Sequence, residues 1–204
     1  VLEECPSPSP LMTPKLREEM GRAAVRAARA VDYRGAGTVE FLLDAQGSFY
    51  FMEMNTRIQV EHPITEMVTG VDLVKWQLLI AMGRELTMRQ EDVRFFGHAI
   101  ECRINAESPE HGFRPSPGTL RALLVPGGPG IRVDGAVYAG YTIPPHYDSM
   151  MAKLIAFAPT RQEAIAKMRW ALAEFVVDGV DTNIDFQLGI LRRPEFEAGD
   201  YHIG

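Results

Sequence analysis

Residues 38–62 read TVEFLLDAQGSFYFMEMNTRIQVEH and contain the clearest strand pattern of the first half of the chain. Two runs rich in β-branched and aromatic residues, Thr38–Asp44 and Phe49–Met54, flank the short polar segment Ala45–Ser48. Runs of this kind around a turn that contains glycine are typical of a β-hairpin. The sequence therefore predicts two antiparallel strands joined by a four-residue loop.

The predicted hairpin brings two carboxylates together. If the loop has four residues, Asp44 faces Phe49, and counting back in equal steps places Glu40 directly opposite Glu53. Directly opposed residues have Cβ atoms about 4.5–5.5 Å apart, and like charges there are destabilising. A hard divalent cation suits such a pair, since Mg²⁺ takes a few carboxylate oxygens, keeps waters and completes its shell with substrate phosphates. Glu40 and Glu53 are therefore candidate metal ligands.

The second strand continues into an alternating pattern. The odd positions from Glu53 to Glu61 are polar, whereas the even positions from Met52 to Val60 are mostly apolar. An ordinary half-buried strand with its polar side in water gives the same alternation. The acids, amides and arginine of this side favour a functional surface, although His62-Pro63 announces a turn that can end the strand before Glu61.

Helical patterns lie on both sides of the hairpin. Thr13-Pro14 predicts the N-cap and first turn of a helix from Lys15 to about Val31. Its expected core face consists of Leu16, Met20, Ala23, Ala24, Ala27 and Val31. Val71–Met82 predicts another helix, with Asp72 as a candidate cap and Gly83 as its stop.

From Gly97 onward the sequence pattern changes to short β-rich runs between Pro- and Gly-rich turns, which predicts a small antiparallel sheet. MMAKLIAF, residues 150–157, is a further strand of this region. The change of texture indicates a domain boundary near residues 85–96.

Two helices are expected after the last of these strands. Thr160 and Glu163 form the pattern of a capping box, which predicts a helix through about Phe175. A final helix is expected near Thr182–Leu191.

Composition narrows the class of function. The 204 residues carry a formal net charge of −6, which argues against a nucleic-acid surface because phosphate binding needs clustered Lys and Arg. Cys5 and Cys102 form neither a metal-binding spacing nor a disulfide framework, so a reducing, cytoplasmic setting is the default. The sequence has neither a bilayer-spanning apolar run nor the pattern of a signal peptide. The chain starts in what reads as the end of a strand and stops just past a helix, so both ends are expected to be cut.

The stretch EMNTRIQVEHPITEMVTGVDLV, residues 53–74, resembles biotin carboxylase, an ATP-grasp enzyme. YRGAGTVEF at 33–41, GHAIECRINAE at 97–107 and YDSMMAKLI at 147–155 extend the likeness over essentially the whole chain. The resemblance implies an α+β fold. Residues 1–90 would be the C-terminal part of an ATP-grasp domain, an antiparallel sheet with helices. Residues 91–204 would be the biotin carboxylase C-terminal domain, a small antiparallel sheet with helices.

The resemblance also implies roles for individual residues. Glu40 and Glu53 would bind the Mg²⁺ or Mn²⁺ carried by ATP, with Asn55 completing one site. The expected bicarbonate contacts are Arg57, through its planar guanidinium, Gln59, and Val60, through its backbone. Glu61 would be the base that deprotonates bicarbonate. Arg132, just after the PGGPG turn, would touch bicarbonate and stabilise the biotin enolate, whereas a lone arginine on a hairpin is otherwise usually a solvated charge.

The implied reaction makes carboxyphosphate and ADP from bicarbonate and ATP, and then carboxylates biotin on a carrier domain. A carboxyltransferase component and a second copy, bound through the C-terminal domain, are the implied partners. The product would serve fatty-acid synthesis if the enzyme is an acetyl-CoA carboxylase. The family's Gly-rich lid, phosphate-holding lysines and adenine-binding segment are not found in the sequence, so the isolated chain is expected to be inactive.

Two alternatives stay open. The chain can be a non-catalytic dimerisation or assembly module, because the region after Gly97 resembles the part that contributes to the family's dimer. It can also belong to another ATP-grasp ligase, since paired acids and an asparagine recur in that superfamily. The run NTRIQVEH followed by Arg132 favours biotin over ammonia as the acceptor.

Overall fold

The computed structural model describes residues 1–201, which form two compact units. The sheet unit combines Val1–Pro6 with the chain from Phe96 onward, and the hairpin unit is Ser7–Phe95. Strand β1 (Leu2–Cys5) therefore belongs to a sheet built mostly by the second half of the chain. Across residues 1–201, no helix has both the length and the apolar composition needed to cross a membrane.

The hairpin unit consists of helices and one two-stranded antiparallel sheet. Its elements are α1 (Pro14–Ala30), β2 (Thr38–Leu43), β3 (Phe49–Asn55), α2 (His62–Thr69), α3 (Leu73–Ala81) and the 3₁₀ turn Gln90–Asp92.

Side-chain caps start the two predicted helices of this unit. The Thr13 hydroxyl accepts a hydrogen bond from the Leu16 amide at 3.2 Å, and the Asp72 carboxylate accepts one from the Lys75 amide at 2.7 Å. Both predicted helices are therefore confirmed. Val31 departs from its predicted core position, because it caps the C-terminus of α1 and is 65% exposed.

Helix α2 was not predicted from the sequence. Pro63 lies in its first turn, where proline needs no backbone N–H partner, and Gly70 ends it with a φ of 71°. His62-Pro63 therefore follows a turn at residues 60–61, as predicted, and starts a helix there.

The sheet unit is built on a four-stranded antiparallel sheet with the order β1, β4, β11, β9. Its other strands are β4 (His98–Asn105), β9 (Ile131–Gly135) and β11 (Met150–Ala158), and β1 pairs with β4. Short two-stranded ribbons pair β5 (Glu107–Ser108) with β6 (Arg114–Pro115), β7 (Gly118–Thr119) with β10 (Thr142–Ile143), and β8 (Ala122–Leu124) with β12 (Val176–Asp178). The helices are α4 (Arg161–Glu174), α5 (Ile184–Leu191) and α6 (Pro194–Ala198). The small antiparallel sheet expected after Gly97 is thus confirmed.

One face of this sheet forms the core and the other carries charges. Ile100, Cys102 and Ile104 of β4 lie in the apolar core with residues of β11, α4 and α5. Successive side chains of a strand point to opposite faces, so Glu101 and Arg103 lie on the other side. Lys153 of β11 is opposite Arg103, and Asp134 of β9 is opposite Lys153. A row of charged residues therefore crosses three strands on one face.

Asn183 continues the sheet beyond the start of β1. The Arg103 amide donates to the Val1 carbonyl at 2.9 Å, but the next groups of β4 bond to Asn183 instead. Asn183 Oδ1 accepts from the Asn105 amide at 3.0 Å, and Asn183 Nδ2 donates to the Arg103 carbonyl at 3.0 Å. Gln187 Nε2 donates to the same carbonyl at 2.7 Å. Two buried amides thus satisfy backbone groups of β4 beyond its pairing with β1.

Glu4 ties β1 to the rest of the sheet unit. Its Oε2 lies 2.7 Å from His98 Nε2 and 2.7 Å from Arg161 Nε, and the Tyr201 hydroxyl donates to its Oε1. Burial raises the pKa of Glu4, but these hydrogen bonds outweigh it and lower the pKa to about 2. Arg161 also donates to the carbonyls of Phe196 and Glu197, so the cluster joins β1, β4, α4 and α6.

Candidate metal and anion site

The hairpin loop is longer than the sequence predicts. Leu43, and not Asp44, pairs with Phe49. Asp44 lies in the loop, where its Oδ1 accepts hydrogen bonds from the amides of Gln46 at 3.0 Å and Ser48 at 2.8 Å. Because an aspartate side chain bonds readily to amides two residues or more along the chain, Asp44 favours the turn over the strand. The predicted facing of Asp44 and Phe49 is therefore wrong.

A β-bulge restores the predicted pairing of the two acids. Phe41 pairs with Phe51 and Glu40 with Glu53, so Met52 is the extra residue of β3. The longer loop shifts the register by one residue and the bulge shifts it back. The predicted opposition of Glu40 and Glu53 is confirmed, although the loop and the equal steps that led to it are not.

Two side-chain amides bind the acid pair. Asn55 Nδ2 donates to Glu40 Oε1 at 2.7 Å and to Glu53 Oε1 at 3.0 Å. Gln59 Nε2 donates to the same Glu40 oxygen at 2.7 Å. The structure therefore brings four of the residues singled out from the sequence into one cluster. Charge-assisted hydrogen bonds from the amides offset part of the repulsion between the two carboxylates.

The donor set of this cluster fits Mg²⁺ or Mn²⁺. Glu40 and Glu53 offer carboxylate oxygens, and Asn55 can add an amide oxygen once its side chain turns its Oδ1 toward the site. In the described part of the chain, no group of three or more His, Cys, Asp and Glu is placed to hold a metal ion. A site with two carboxylates suits an ion that keeps several waters or takes phosphate oxygens as its remaining ligands.

The predicted alternation ends at Asn55, where β3 stops. Residues 56–61 form a bend and a turn that lead into α2, and Glu61 is the N-cap residue of that helix. Gln59 nevertheless reaches Glu40, and its carbonyl accepts a hydrogen bond from His62 Nδ1 at 2.8 Å. The strand thus ends before Glu61, as the His62-Pro63 signal allowed, and the polar alternation beyond Asn55 does not correspond to one face of a strand.

Arg57 is exposed on this turn. Within residues 1–201, its one hydrogen bond runs from Nη1 to the carbonyl of Ile58 at 3.2 Å. Val60 and Glu61 are half-buried on the same turn. A guanidinium that its own fold does not engage in an ion pair is available to an anion.

Arg132 lies on β9 in the sheet unit. Its Nε and Nη2 donate to the two oxygens of Asp134, each at 2.8 Å. Asp134 also lies 3.6 Å from Lys153 Nζ. Burial raises the pKa of Asp134, but the hydrogen bond and charge of Arg132 outweigh it and lower the pKa. Arg132 is thus held by a bidentate pair within its own strand.

Arg103 is a second arginine of the charged face, and it was not singled out from the sequence. It lies on the inner strand β4, and its Nη2 is 3.2 Å from Glu3 Oε1. The signal was present in GHAIECRINAE, where polar residues recur at every second position from Glu101 onward. The pattern alone does not reveal which charged residues of neighbouring strands lie beside Arg103, because that depends on how the strands pair.

Two family models match the chain. The model described as "Biotin carboxylase C-terminal domain" matches residues 101–204, and the model described as "Carbamoyl-phosphate synthase L chain, ATP binding domain" matches residues 1–89. Together they cover nearly the whole sequence.

Curated and solved proteins agree with the family models. "Biotin carboxylase 1" of Bacillus subtilis is 58% identical over 203 residues, which cover 99% of this chain and 45% of that protein. "Biotin carboxylase" of a Nostoc species is 56% identical over 200 residues, which cover 98% of this chain and 44% of that protein.

Among solved structures, the biotin carboxylase domain dimer of the Hydrogenobacter thermophilus 2-oxoglutarate carboxylase, in complex with MgADP, ADP and bicarbonate, superposes with a TM-score of 0.95. It is 51% identical over 98% of this chain and 44% of that chain. The chain thus spans less than half the length of these relatives, and it belongs to the biotin carboxylase family.

Proposed function

We propose that this chain serves the ATP-dependent carboxylation of biotin with bicarbonate, as part of a biotin carboxylase of its relatives' length. The observation that carries the proposal is the pairing of Glu40 with Glu53 under the amides of Asn55 and Gln59. Membership of the biotin carboxylase family supports the choice of reaction among those that a paired-acid site could serve.

Glu40, Glu53 and Asn55 hold the Mg²⁺ or Mn²⁺ that accompanies ATP. When bound, the divalent ion neutralises charge on the phosphates during phosphoryl transfer. The residues themselves supply a fixed anchor, since all three sit at one end of a hairpin whose register is fixed by the bulge at Met52. Gln59 links this anchor to the turn that carries Arg57 and Glu61.

The turn at 57–61 holds bicarbonate. Arg57 presents parallel donors that match a planar oxyanion, and Gln59 and the Val60 backbone complete the contacts. Glu61 takes the proton of the bicarbonate hydroxyl as a bicarbonate oxygen attacks the γ-phosphorus, which forms carboxyphosphate and releases ADP. The carboxyphosphate then yields CO₂ and phosphate, and the phosphate deprotonates biotin.

An arginine stabilises the negative charge on biotin during this second step. Arg132 is the residue that family resemblance favours, and it must exchange its bidentate contact with Asp134 to meet a ligand. Arg103 lies on the same charged face of the sheet and is the alternative candidate for this role. The variants Arg132→Ala and Arg103→Ala distinguish the two arginines. Replacing the arginine that acts in the reaction should lower kcat for biotin strongly while changing the melting temperature little.

The whole protein has further partners in this proposal. Biotin arrives on a carrier domain, a carboxyltransferase component uses the product, and two copies associate through residues 91–204. Residues 1–90 belong to the ATP-grasp part, which the family-model boundaries at 89 and 101 support. A cytoplasmic location is the simplest setting, although some relatives are named chloroplastic.

The decisive experiment measures ADP release in a polypeptide of the relatives' full length that carries this chain. ATP, Mg²⁺, bicarbonate and free biotin are supplied, and each is omitted in turn. The proposal expects ADP release that depends on biotin and bicarbonate, and Glu53→Gln to remove most of it. ADP release by a folded protein at a rate that does not depend on biotin would refute the proposal.

An assembly role is the second candidate. It is favoured by four large apolar side chains of the hairpin that are about half exposed: Leu42, Tyr50, Phe51 and Met52. Exposed apolar patches of this kind mark association surfaces. Sedimentation of the chain alone tests this role, and a monomer at high concentration contradicts it.

A further inference from the structure

Helix α1 carries a basic groove that the proposed reaction does not use. The groove has a volume of about 700 Å³ and is lined by Arg17, Glu18, Gly21, Arg22, Val25, Arg26, Arg29 and Gln90. Four of these residues are arginines and one is an acid, in a chain whose net charge is −6. The groove is therefore a local concentration of positive charge on an acidic protein.

The arginines of the groove have few partners within the fold. Arg22 pairs with Glu18 at 3.2 Å on the exposed surface, and Arg17 stacks on Phe95 with its guanidinium carbon 4.1 Å from the ring centre. Among residues 1–201, neither Arg26 nor Arg29 makes an ion pair or a side-chain hydrogen bond. Two arginines on one helix face thus remain available to an external anion.

Gly21 is a second unusual feature of the same groove. Glycine within an exposed helix is less favourable than alanine, so it normally has a packing reason. A Cβ added at Gly21 would meet no atom within 4 Å, so the described chain supplies no such reason. Gly21 and Val25, four residues apart, lie on the same side of α1 between the arginines. A glycine at the base of a groove allows a backbone to approach closely.

The spacing of the charges favours an extended polypeptide over a small anion. Arg17 and Arg29 are twelve residues apart, which corresponds to about 18 Å along a helix. A single phosphate would need convergent donors, whereas these arginines follow the helix axis. The exposed Val25 adds an apolar contact that a polynucleotide backbone does not need, whereas a helical peptide can meet it with an apolar side chain.

We propose that the groove of α1 binds an acidic helical segment of a partner polypeptide, with its carboxylates on Arg22, Arg26 and Arg29 and a small residue against Gly21. The mode is a helix laid in a groove, in which charges fix the register and a close approach of backbones supplies the contact. The proposal is independent of the carboxylation chemistry, so the two can fail separately.

The probe is a synthetic helical peptide with glutamates along one face and alanines elsewhere, and its affinity for the protein is measured by fluorescence anisotropy. Arg22→Glu, Arg26→Glu and Arg29→Glu in combination should weaken binding at least tenfold. The matched control combines Arg34→Glu, Arg84→Glu and Arg193→Glu, which change the net charge equally outside the groove and should alter affinity less than twofold. Equal losses in both variants would overturn the proposal.

Gly21→Leu tests the close approach. Because its Cβ would meet open space, the variant should melt at or above the temperature of the parent protein, yet bind the peptide at least tenfold more weakly. Unchanged affinity in Gly21→Leu would contradict the proposal. So would equal binding of a peptide with glutamines in place of glutamates, or tighter binding of an oligonucleotide of the same charge.

Discussion

Glu40 and Glu53 face each other across the hairpin, and Asn55 Nδ2 donates to a carboxylate oxygen of each. The amide therefore offsets part of the repulsion between the two carboxylates. In the proposed function the same two carboxylates hold a divalent cation. Metal affinity and hairpin stability are therefore expected to be coupled at this point.

Asn55→Ala should destabilise the protein in the absence of metal. Without the amide, fewer hydrogen bonds offset the repulsion between the two opposed carboxylates. The free energy of unfolding should therefore fall by about 1 kcal/mol. Urea denaturation with and without Mg²⁺ measures the effect. Adding Glu40→Gln should recover part of the loss, because one charge is removed. A double variant no more stable than Asn55→Ala alone would argue against charge repulsion as the cause.

Arg57→Ala should affect bicarbonate use far more than folding. Loss of charge-assisted contacts should raise the KM for bicarbonate roughly ten- to a hundredfold in the full-length protein. The free energy of unfolding should change by less than about 0.5 kcal/mol, because Arg57 is exposed and bonds only to the neighbouring Ile58 carbonyl within the described residues. Arg57→Lys keeps the charge and tests the planar geometry. Equal losses of activity and stability would indicate a structural role.

Glu4→Gln should remove a stabilisation that depends on pH. The pKa of Glu4 is lowered from 4.5 to about 2, so its contribution is present above pH 4.5 and is lost as pH falls toward 2. The shift corresponds to about 3 kcal/mol at neutral pH. Thermal unfolding of both proteins between acid and neutral pH should show curves that converge at the acid end. Glu110→Gln, at an exposed position, is the control and should run parallel to the parent protein.

Gly179→Ala should be strongly destabilising. Gly179 has a φ of +117°, and an added Cβ would collide with the carbonyl oxygen of Thr119 where β7 passes β12. Backbone strain and the clash together should cost about 3 kcal/mol or more. Gly140→Ala is the matched control, since its φ is +92° but nothing lies within 4 Å of the added atom, and about 1 kcal/mol is expected. Similar losses in both would show that the close approach to Thr119 does not matter.

Asn183→Ala should loosen the end of β4. It removes one donor to the Arg103 carbonyl and the acceptor of the Asn105 amide, both in a buried setting, at about 2–3 kcal/mol. Hydrogen exchange measures the effect directly, because the Asn105 amide should exchange faster while the Ile100 amide, inside the ladder, should follow global unfolding only. Unchanged protection of Asn105 would contradict this account of Asn183.

The hairpin shows how far local pattern carries a prediction. The β-rich runs and the turn residues predicted both strands and the facing of Glu40 and Glu53. They did not predict that Asp44 caps the loop or that Met52 forms a bulge, since both depend on which backbone groups find partners in the folded hairpin. The start of α2 could not be predicted either, because Pro63 is compatible both with a turn and with the first turn of a helix.

The capped helices and the cluster of acids and amides around Glu53 could be predicted from the sequence because they rest on residues close together in the chain, and the family could be recognised because its motifs are short continuous stretches. Only the tertiary structure decided that β1 joins a sheet from the other half, that Arg132 is bound by Asp134, and that Arg103 shares its face. These relationships depend on strand register between distant segments. Register is set by the burial of one whole face of the sheet, and no local pattern encodes the partner.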